Sequence, residues 1–305
     1  MKYIYGPVPS RRLGISLGVS PIPKKTCNYS CVYCQLGRTD KMTNNRKLFY
    51  SVDDILDEFK AILKEKIYFD VITIVGEGEP TLYLGLGELI QEMKKLTNKT
   101  IAIITNGALL YDSTVRKELS VADIVLPTLD AYDEISFKSI NRPHGSLNFK
   151  QVFKGLELFS KEYKGLLWLE MMFIKGVNDD LDSLNKYIDL LARINYDKLY
   201  LNTPVRPPAE AYIEAVSSDK MRMIVELLGG ISIELLVSDN FYSNIKSHYD
   251  AILSIIKRHP MNQNEIRSFL ASRKCSNIDE LMRRLKTDSM VEVIGYKNYN
   301  TFRLK

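Results

Sequence analysis

The chain has 305 residues, 45% of them hydrophobic, and its 42 Lys and Arg against 37 Asp and Glu give a formal net charge of +5. That length accommodates one barrel-sized core with a small appendage. No apolar run approaches the ~20 residues of a membrane span. The start, MKYIYGPVPSRR, lacks the apolar stretch and cleavage site of a secretory signal, so a cytoplasmic protein without a membrane partner is expected.

In chain order, Arg11 and Arg12 precede a first strand-length run, ISLGVS, and a loop follows that carries Cys27, Cys31 and Cys34 in the spacing C-x3-C-x2-C, with Tyr33 just before the third. SVDDILDEFKAILKE reads as a helix. Ser51 can cap it, Asp53 and Asp54 suit its first turn, and Ile55, Leu56, Phe59, Ile62 and Leu63 form one apolar face. Apolar runs then alternate with helical patterns: DVITIV (70–75), TIAIIT (100–105), ADIVLP (122–127), LWLEMMFI (167–174) and KLYLNT (198–203). Continuous apolar strands alternating with helices imply a parallel sheet covered by helices. Six units in about 240 residues suit an open or incomplete barrel better than a doubly wound sheet, although periodicity alone does not separate the two. ISIELLVS (231–238) is a candidate further strand.

The tail has another pattern. SHYDAILSIIKRHP, NQNEIRSFL and NIDELMRRLKTDSM read as three short helices, the last two each opened by Asn. VEVIGYKNYNTFRLK reads as a hairpin turning around Gly295 or Asn298. Three helices and a two-stranded ribbon form a winged-helix pattern, which sets the expected boundary between domains 1–240 and 241–305. From His248 onward there are 11 Lys and Arg against 6 Asp and Glu, so the excess positive charge belongs to the tail. Such an excess suits an anionic partner or simply a solvated face.

Four clustered thiolates would complete a structural zinc site. Here three share one short loop, and the fourth cysteine, Cys275, lies in the tail. Three thiolates can hold three irons of a [4Fe–4S] cube and leave the fourth iron open, the open position that metal catalysis requires. A zinc site completed by Cys275 or another ligand, and plain free thiols, are the competing readings.

The cysteine spacing, Tyr33, VGEGEP after the second strand, ITNG at the end of the third and LPTLDA at the end of the fourth together resemble the radical S-adenosylmethionine (SAM) superfamily over roughly residues 1–240. YGPVPSRRLGISLG, CNYSCVYCQLGRT, GEGEPTL, NRPHG, KGVND and LNTPVRPP narrow this to an incompletely characterised subfamily of Fe–S oxidoreductases. That subfamily is related to the tRNA wyosine-base enzymes but lacks the cysteines for their second cluster. The resemblance implies a partial (β/α)6 barrel, a [4Fe–4S] cluster on Cys27, Cys31 and Cys34, and SAM cleaved to a 5′-deoxyadenosyl radical that abstracts a substrate hydrogen. It also implies an electron donor such as a flavodoxin or ferredoxin.

For the SAM site it implies Tyr33, Gly76, Glu77, Gly78, Glu79, Pro80, Thr105, Asn106, Thr128, Asp130 and Met172. Either Glu77 or Glu79 would meet the methionyl ammonium, and Asp130 a ribose hydroxyl. GEGE lacks the Lys-Ser/Thr ending of a phosphate loop, and its acidity would repel phosphate. Arg11, Arg12, Asn141, Arg142, His144, Glu170, Asn202 and Arg206 are expected to meet a polar or anionic substrate, each against a purely structural alternative. RNA, a peptide and a small metabolite are the candidate substrates, and Arg283, Arg284 and Lys286 tilt the tail toward nucleic acid. A cluster-bearing, redox-sensing DNA-binding regulator is the rival of another class. A zinc-stabilised nucleic-acid adaptor is weaker.

Overall fold

The computed structural model describes residues 2–233, 241–243, 245–296 and 299–305. The chain opens with an antiparallel pair, β1 (Ile4–Ser10) and β2 (Gly14–Val19). The cysteine loop contains the short parallel pair β3 (Thr26–Cys27) and β4 (Lys41–Met42). Alternation then begins: α1 (Val52–Lys64), β5 (Val71–Ile74), α2 (Leu86–Leu96), β6 (Thr100–Thr105), α3 (Ser113–Leu119) and β7 (Ile124–Pro127). It continues through a short α4 (Glu134–Ser136), α5 (Phe149–Glu162), β8 (Leu166–Met172), α6 (Leu181–Leu191), β9 (Lys198–Asn202), α7 (Ser218–Leu228) and β10 (Ile231–Ser232). The sheet order is β1-β2-β5-β6-β7-β8-β9-β10, parallel from β2 onward.

Local chemistry explains the elements. Ser51 Oγ accepts from Asp54 N at 3.0 Å, as its position before α1 predicts. Val71, Ile72, Thr73 and Ile74 are buried on both faces, so β5 is an uninterrupted apolar run rather than an alternating one. The two faces feed two cores. Leu17, Ile72, Ile101, Val125, Leu169 and Leu201 meet the helices. Val71, Ala102, Ile124, Trp168, Tyr200 and Ile233 meet one another inside. Side chains from strands as far apart as β5 and β9 can share one cluster only if the sheet curves around them, which favours the barrel over a flat sheet.

The C-terminal elements are α8 (His248–Ile256), β11 (Met261–Asn262), α9 (Gln263–Ser272), α10 (Ile278–Thr287), β12 (Val291–Tyr296) and β13 (Tyr299–Leu304). They share a separate core that includes Ile252, Ile255, Phe269, Leu270, Leu285 and Phe302, with Val8 of β1 joining it.

The ribbon differs from expectation. It has three strands, β11-β13-β12, because Met261 and Asn262 pair with Phe302 and Thr301. Gly295 does not make the turn, since it lies within β12 opposite Asn300, and Asn298 lies outside the described residues. Asn262 caps α9 in a reciprocal box with Glu265. Asn277 makes no cap bond, because its side chain accepts from the Cys275 thiol and donates to Glu280. Of ISIELLVS, only Ile231–Ser232 form strand, and residues 234–238 lie outside the described residues.

Candidate active site

The cysteine loop is fastened by backbone before any side chain is considered. Val32 N donates to Ile140 O, Ser30 N to Asn141 O and His144 N to Asn28 O, and Tyr29 bridges Pro143. The NRPHG segment therefore lies against the loop as an antiparallel partner. Arg142 takes a left-handed conformation there, with φ 46°. Glu210 clamps the same loop: its N–H donates to Val32 O, and its carboxylate accepts from both Arg38 and Arg142. The two guanidiniums hold the Glu210 carboxyl down to about 2, Arg38 contributing most.

GEGE packs on the start of the loop. Lys25 N donates to Glu77 O at 2.5 Å, and Glu79 N to Thr26 O at 3.1 Å. A Cβ on Gly78 would stand 1.9 Å from Thr26 O, so only glycine permits this approach. The two glutamates have separate tasks. Glu79 is buried and accepts from Thr81 N, Thr81 Oγ1, Thr105 Oγ1 and Asn106 N at 2.6–2.9 Å. Burial raises its carboxyl above the usual range, against the pull of these donors. Glu77 is also buried, but its Oε2 accepts from Arg258 Nε at 3.1 Å, while Oε1 has no hydrogen-bond partner among the described residues.

Amide donors surround the sulfurs. Asn106 Nδ2 lies 3.6 Å from Cys27 Sγ, Asn141 Nδ2 lies 3.5 Å from Cys31 Sγ, and Tyr29 N lies 3.4 Å from Cys27 Sγ. Burial raises all three thiols above the free-cysteine value. A bound cation would reverse this, because metal ligation stabilises the thiolate outright. The donors already point at the sulfurs that would carry that charge, so the residues fit a thiolate-held cluster. Among the described residues no three His, Cys, Asp or Glu side chains gather around a single ion position, as a closed zinc site would require. Cys275 is buried in the C-terminal core, in a cluster distinct from the one that Cys27 and Cys31 pack against.

Behind the loop stands Asp130. Its Oδ2 accepts from Tyr33 OH and Asn141 Nδ2, and its Oδ1 from Met172 N at 3.0 Å. Burial raises its carboxyl to about 6 against these three donors. Asn178 of KGVND is fully buried and donates to Asp130 O, Met172 O and Tyr187 OH.

One cavity of about 380 Å³ opens beside Cys34, within the size range of small-molecule sites. Its wall takes Tyr33, Cys34, Gly76, Glu77, Glu170, Met172, Asn202, Arg206, Arg11 and Arg12 from the barrel. The C-terminal elements contribute Arg258, His259 and Glu265. Arg12 pairs with Glu170, and burial lowers its guanidinium to about 10. Asn202 Nδ2 donates to Glu170 Oε1. Arg206 donates to Glu265, His259 and Pro260 O.

Several expected site residues are placed elsewhere. Glu79, Pro80, Thr105, Asn106, Thr128 and Asp130 do not line this cavity. The Asp130 oxygens accept from Tyr33, Asn141 and Met172. Thr128 Oγ1 turns to Thr105 O, and Pro80 opens a short helical turn. Asn141, Arg142 and His144 are not at the cavity either. They brace the cysteine loop, with His144 Nδ1 beside Ser146 Oγ at 2.9 Å. Arg258, His259 and Glu265 escaped sequence reasoning. They lie more than fifty residues from their barrel partners, and a helix end written KRHP carries no signal of a site.

Residues 22–190 match the family profile described as the radical SAM superfamily. A UPF0026 protein of Methanocaldococcus jannaschii is 38% identical over 280 residues, covering 88% of this chain and 86% of that protein. A Brachyspira hyodysenteriae protein named GTPase Obg is 36% identical over 289 residues, 93% of this chain, although the chain spans only 42% of that protein's length. Among solved structures, TYW1 with a lysine-pyruvate adduct bound aligns with TM-score 0.54 at 20% identity, over 71% of this chain and 74% of that one. That likeness establishes the fold.

Proposed function

The chain belongs to the radical SAM superfamily, and on that premise we propose that Cys27, Cys31 and Cys34 ligate its [4Fe–4S] cluster and leave one iron to SAM. Members are enzymes with these two cofactors and need an electron donor, here proposed to be a flavodoxin or ferredoxin. When bound and reduced, the cluster supplies the electron that cleaves SAM to methionine and a 5′-deoxyadenosyl radical able to take a hydrogen atom from substrate.

The chain's own residues set the stage. Asn106, Asn141 and Tyr29 N–H donate toward the sulfurs and stabilise thiolate charge. Gly76 and Glu77 form the wall for the methionyl end, and the orphan Glu77 Oε1 is the acceptor for its ammonium. Tyr33 and Met172 close the side of the cavity, both fixed through Asp130. Glu79, outside the cavity wall, holds Thr105 and Asn106 in place beside the cysteine loop. Arg12, Glu170, Asn202 and Arg206 form the remaining wall, where substrate is held and water excluded. The observation that carries this reading is the convergence of the cysteine loop, GEGE and the β8 end on one cavity.

Residues 241–305 are proposed as a winged-helix-like domain that completes the cavity and presents substrate. Arg283, Arg284 and Lys286 on α10 are exposed, which supports an RNA substrate over a peptide. Anaerobically reconstituted, reduced protein given SAM should yield 5′-deoxyadenosine well above a Cys34→Ala control. Yields equal to that control contradict the enzyme reading. RNA binding that does not weaken with added salt contradicts the RNA reading.

A further inference from the structure

Among the described residues the cavity wall carries four guanidiniums and three carboxylates, and their pairing leaves a remainder. Arg12 faces Glu170, Arg206 faces Glu265, and Arg258 faces Glu77. Arg11 faces no carboxylate among the described residues. Among the described residues its side chain makes a single long donation, 3.4 Å, to Ile233 O. A guanidinium has five donors and stays charged, so most of its capacity is unspent.

We propose that Arg11 forms an anion subsite of this cavity, taking a phosphate or carboxylate oxygen of a second ligand bound beside SAM. The inference rests on the SAM reading of the Gly76–Glu77 wall, and deepens it. The wall thus presents two features of opposite sign to a ligand: the Glu77 Oε1 acceptor, and the Arg11 guanidinium, which unlike Arg12 has no carboxylate facing it among the described residues. If the SAM ammonium meets the first, the second remains for another molecule. The surroundings of Arg11 reinforce the sign. His259 is buried and kept neutral, by burial first and then by Arg206 and Arg11, so it adds no charge of its own and Arg206 is already neutralised by Glu265. Among the described residues the local excess is one positive charge in a partly dry pocket, where a charge-assisted bond is strong. The same group on an open surface would be satisfied by solvent.

The test uses the full-length, cluster-loaded protein, with inorganic phosphate and acetate as separate probes at constant ionic strength. Affinity is measured by calorimetry or by ³¹P and ¹³C line broadening. Wild type should bind at least one probe, Arg11→Gln should weaken it about tenfold or more, and Arg11→Lys should retain most of it. The preferred probe identifies the anion. Lys60→Gln, at an exposed position of α1 away from the cavity, should bind the probe as wild type does. SAM affinity, titrated in parallel, should be the same in Arg11→Gln as in wild type.

Equal probe affinity in wild type and Arg11→Gln, or none in either, overturns the subsite. A matching loss of SAM affinity in Arg11→Gln overturns its assignment to a second ligand, because the guanidinium would then serve the cofactor. If wild type binds a probe through Arg11 yet binds no SAM, the subsite stands and the cofactor reading fails.

Discussion

The cysteine loop and the C-terminal elements border the same cavity and are held there by different forces. The loop is held mainly by backbone bonds, with NRPHG along one side, Gly78 and the Glu79 carboxylate beneath, neutral amides of Asn106 and Asn141 at the sulfurs, and Glu210 clamped between Arg38 and Arg142 at its outer side. The C-terminal elements bring their own apolar core and reach the barrel through buried charge, Arg258 to Glu77 and Glu265 to Arg206. The side-chain donors that reach the sulfurs are neutral amides, so they fix geometry there without adding charge. Ion pairs make docking of the tail depend on both partners being present, because each buried charge is costly alone.

The largest expected effect therefore lies at the ion pair. Arg258→Met strands a buried Glu77 carboxylate and should cost about 3–5 kcal/mol in denaturant unfolding. Adding Glu77→Gln should recover much of that loss. If the double variant is no more stable than the single one, the pair does not hold the tail as described. Next comes the neutral side. Gly78→Ala drives a Cβ into the Thr26 carbonyl and should cost about 3 kcal/mol, with reduced iron loading measured by iron and sulfide assay. Wild-type loading and stability would show that the loop does not need this approach.

Asn141→Ala removes donors from both Cys31 and Asp130 and should cost about 1–3 kcal/mol. It should also move the cluster to a more negative potential, because N–H donors to sulfur favour the reduced form. An unchanged potential in redox titration would remove the sulfur contact from the account. The smallest effect separates the regions by pH. The folded His259 titrates well below its ordinary value, since burial and then Arg206 and Arg11 disfavour its charge. Below the unfolded value of about 6.5 the unfolded state binds the extra proton. The contribution is thus full above that pH and declines as pH falls beneath it. His259→Gln should flatten this part of the stability–pH profile, and an identical slope in the variant would contradict it.

The cysteine side was largely legible in the sequence because its parts are local. Cys27, Cys31 and Cys34 lie within eight residues, and Gly76 to Glu79 directly follow an apolar strand. The six parallel strands followed from continuous apolar runs. What could not be read from the residues was which neighbours the polar side chains at strand ends turn to. Asp130, Asn141, Arg142 and His144 have the chemistry of ligand contacts, yet three-dimensional neighbours claim them first: Tyr33 for Asp130, Cys31 for Asn141, Glu210 for Arg142, Ser146 for His144. The tail's part in the site was illegible for a related reason. Glu77 and Arg258 are separated by 181 residues, and neither position announces its partner. The third strand, Met261–Asn262, is two residues long and has no periodicity to detect.

The account turns on three cysteines that leave one iron open. The direct measurement is the electron paramagnetic resonance spectrum of the reduced, reconstituted protein before and after SAM, beside Cys275→Ser. The account predicts about four irons per chain in both proteins and a spectrum that SAM alters in each. A spectrum indifferent to SAM, or iron lost on replacing Cys275, would contradict it.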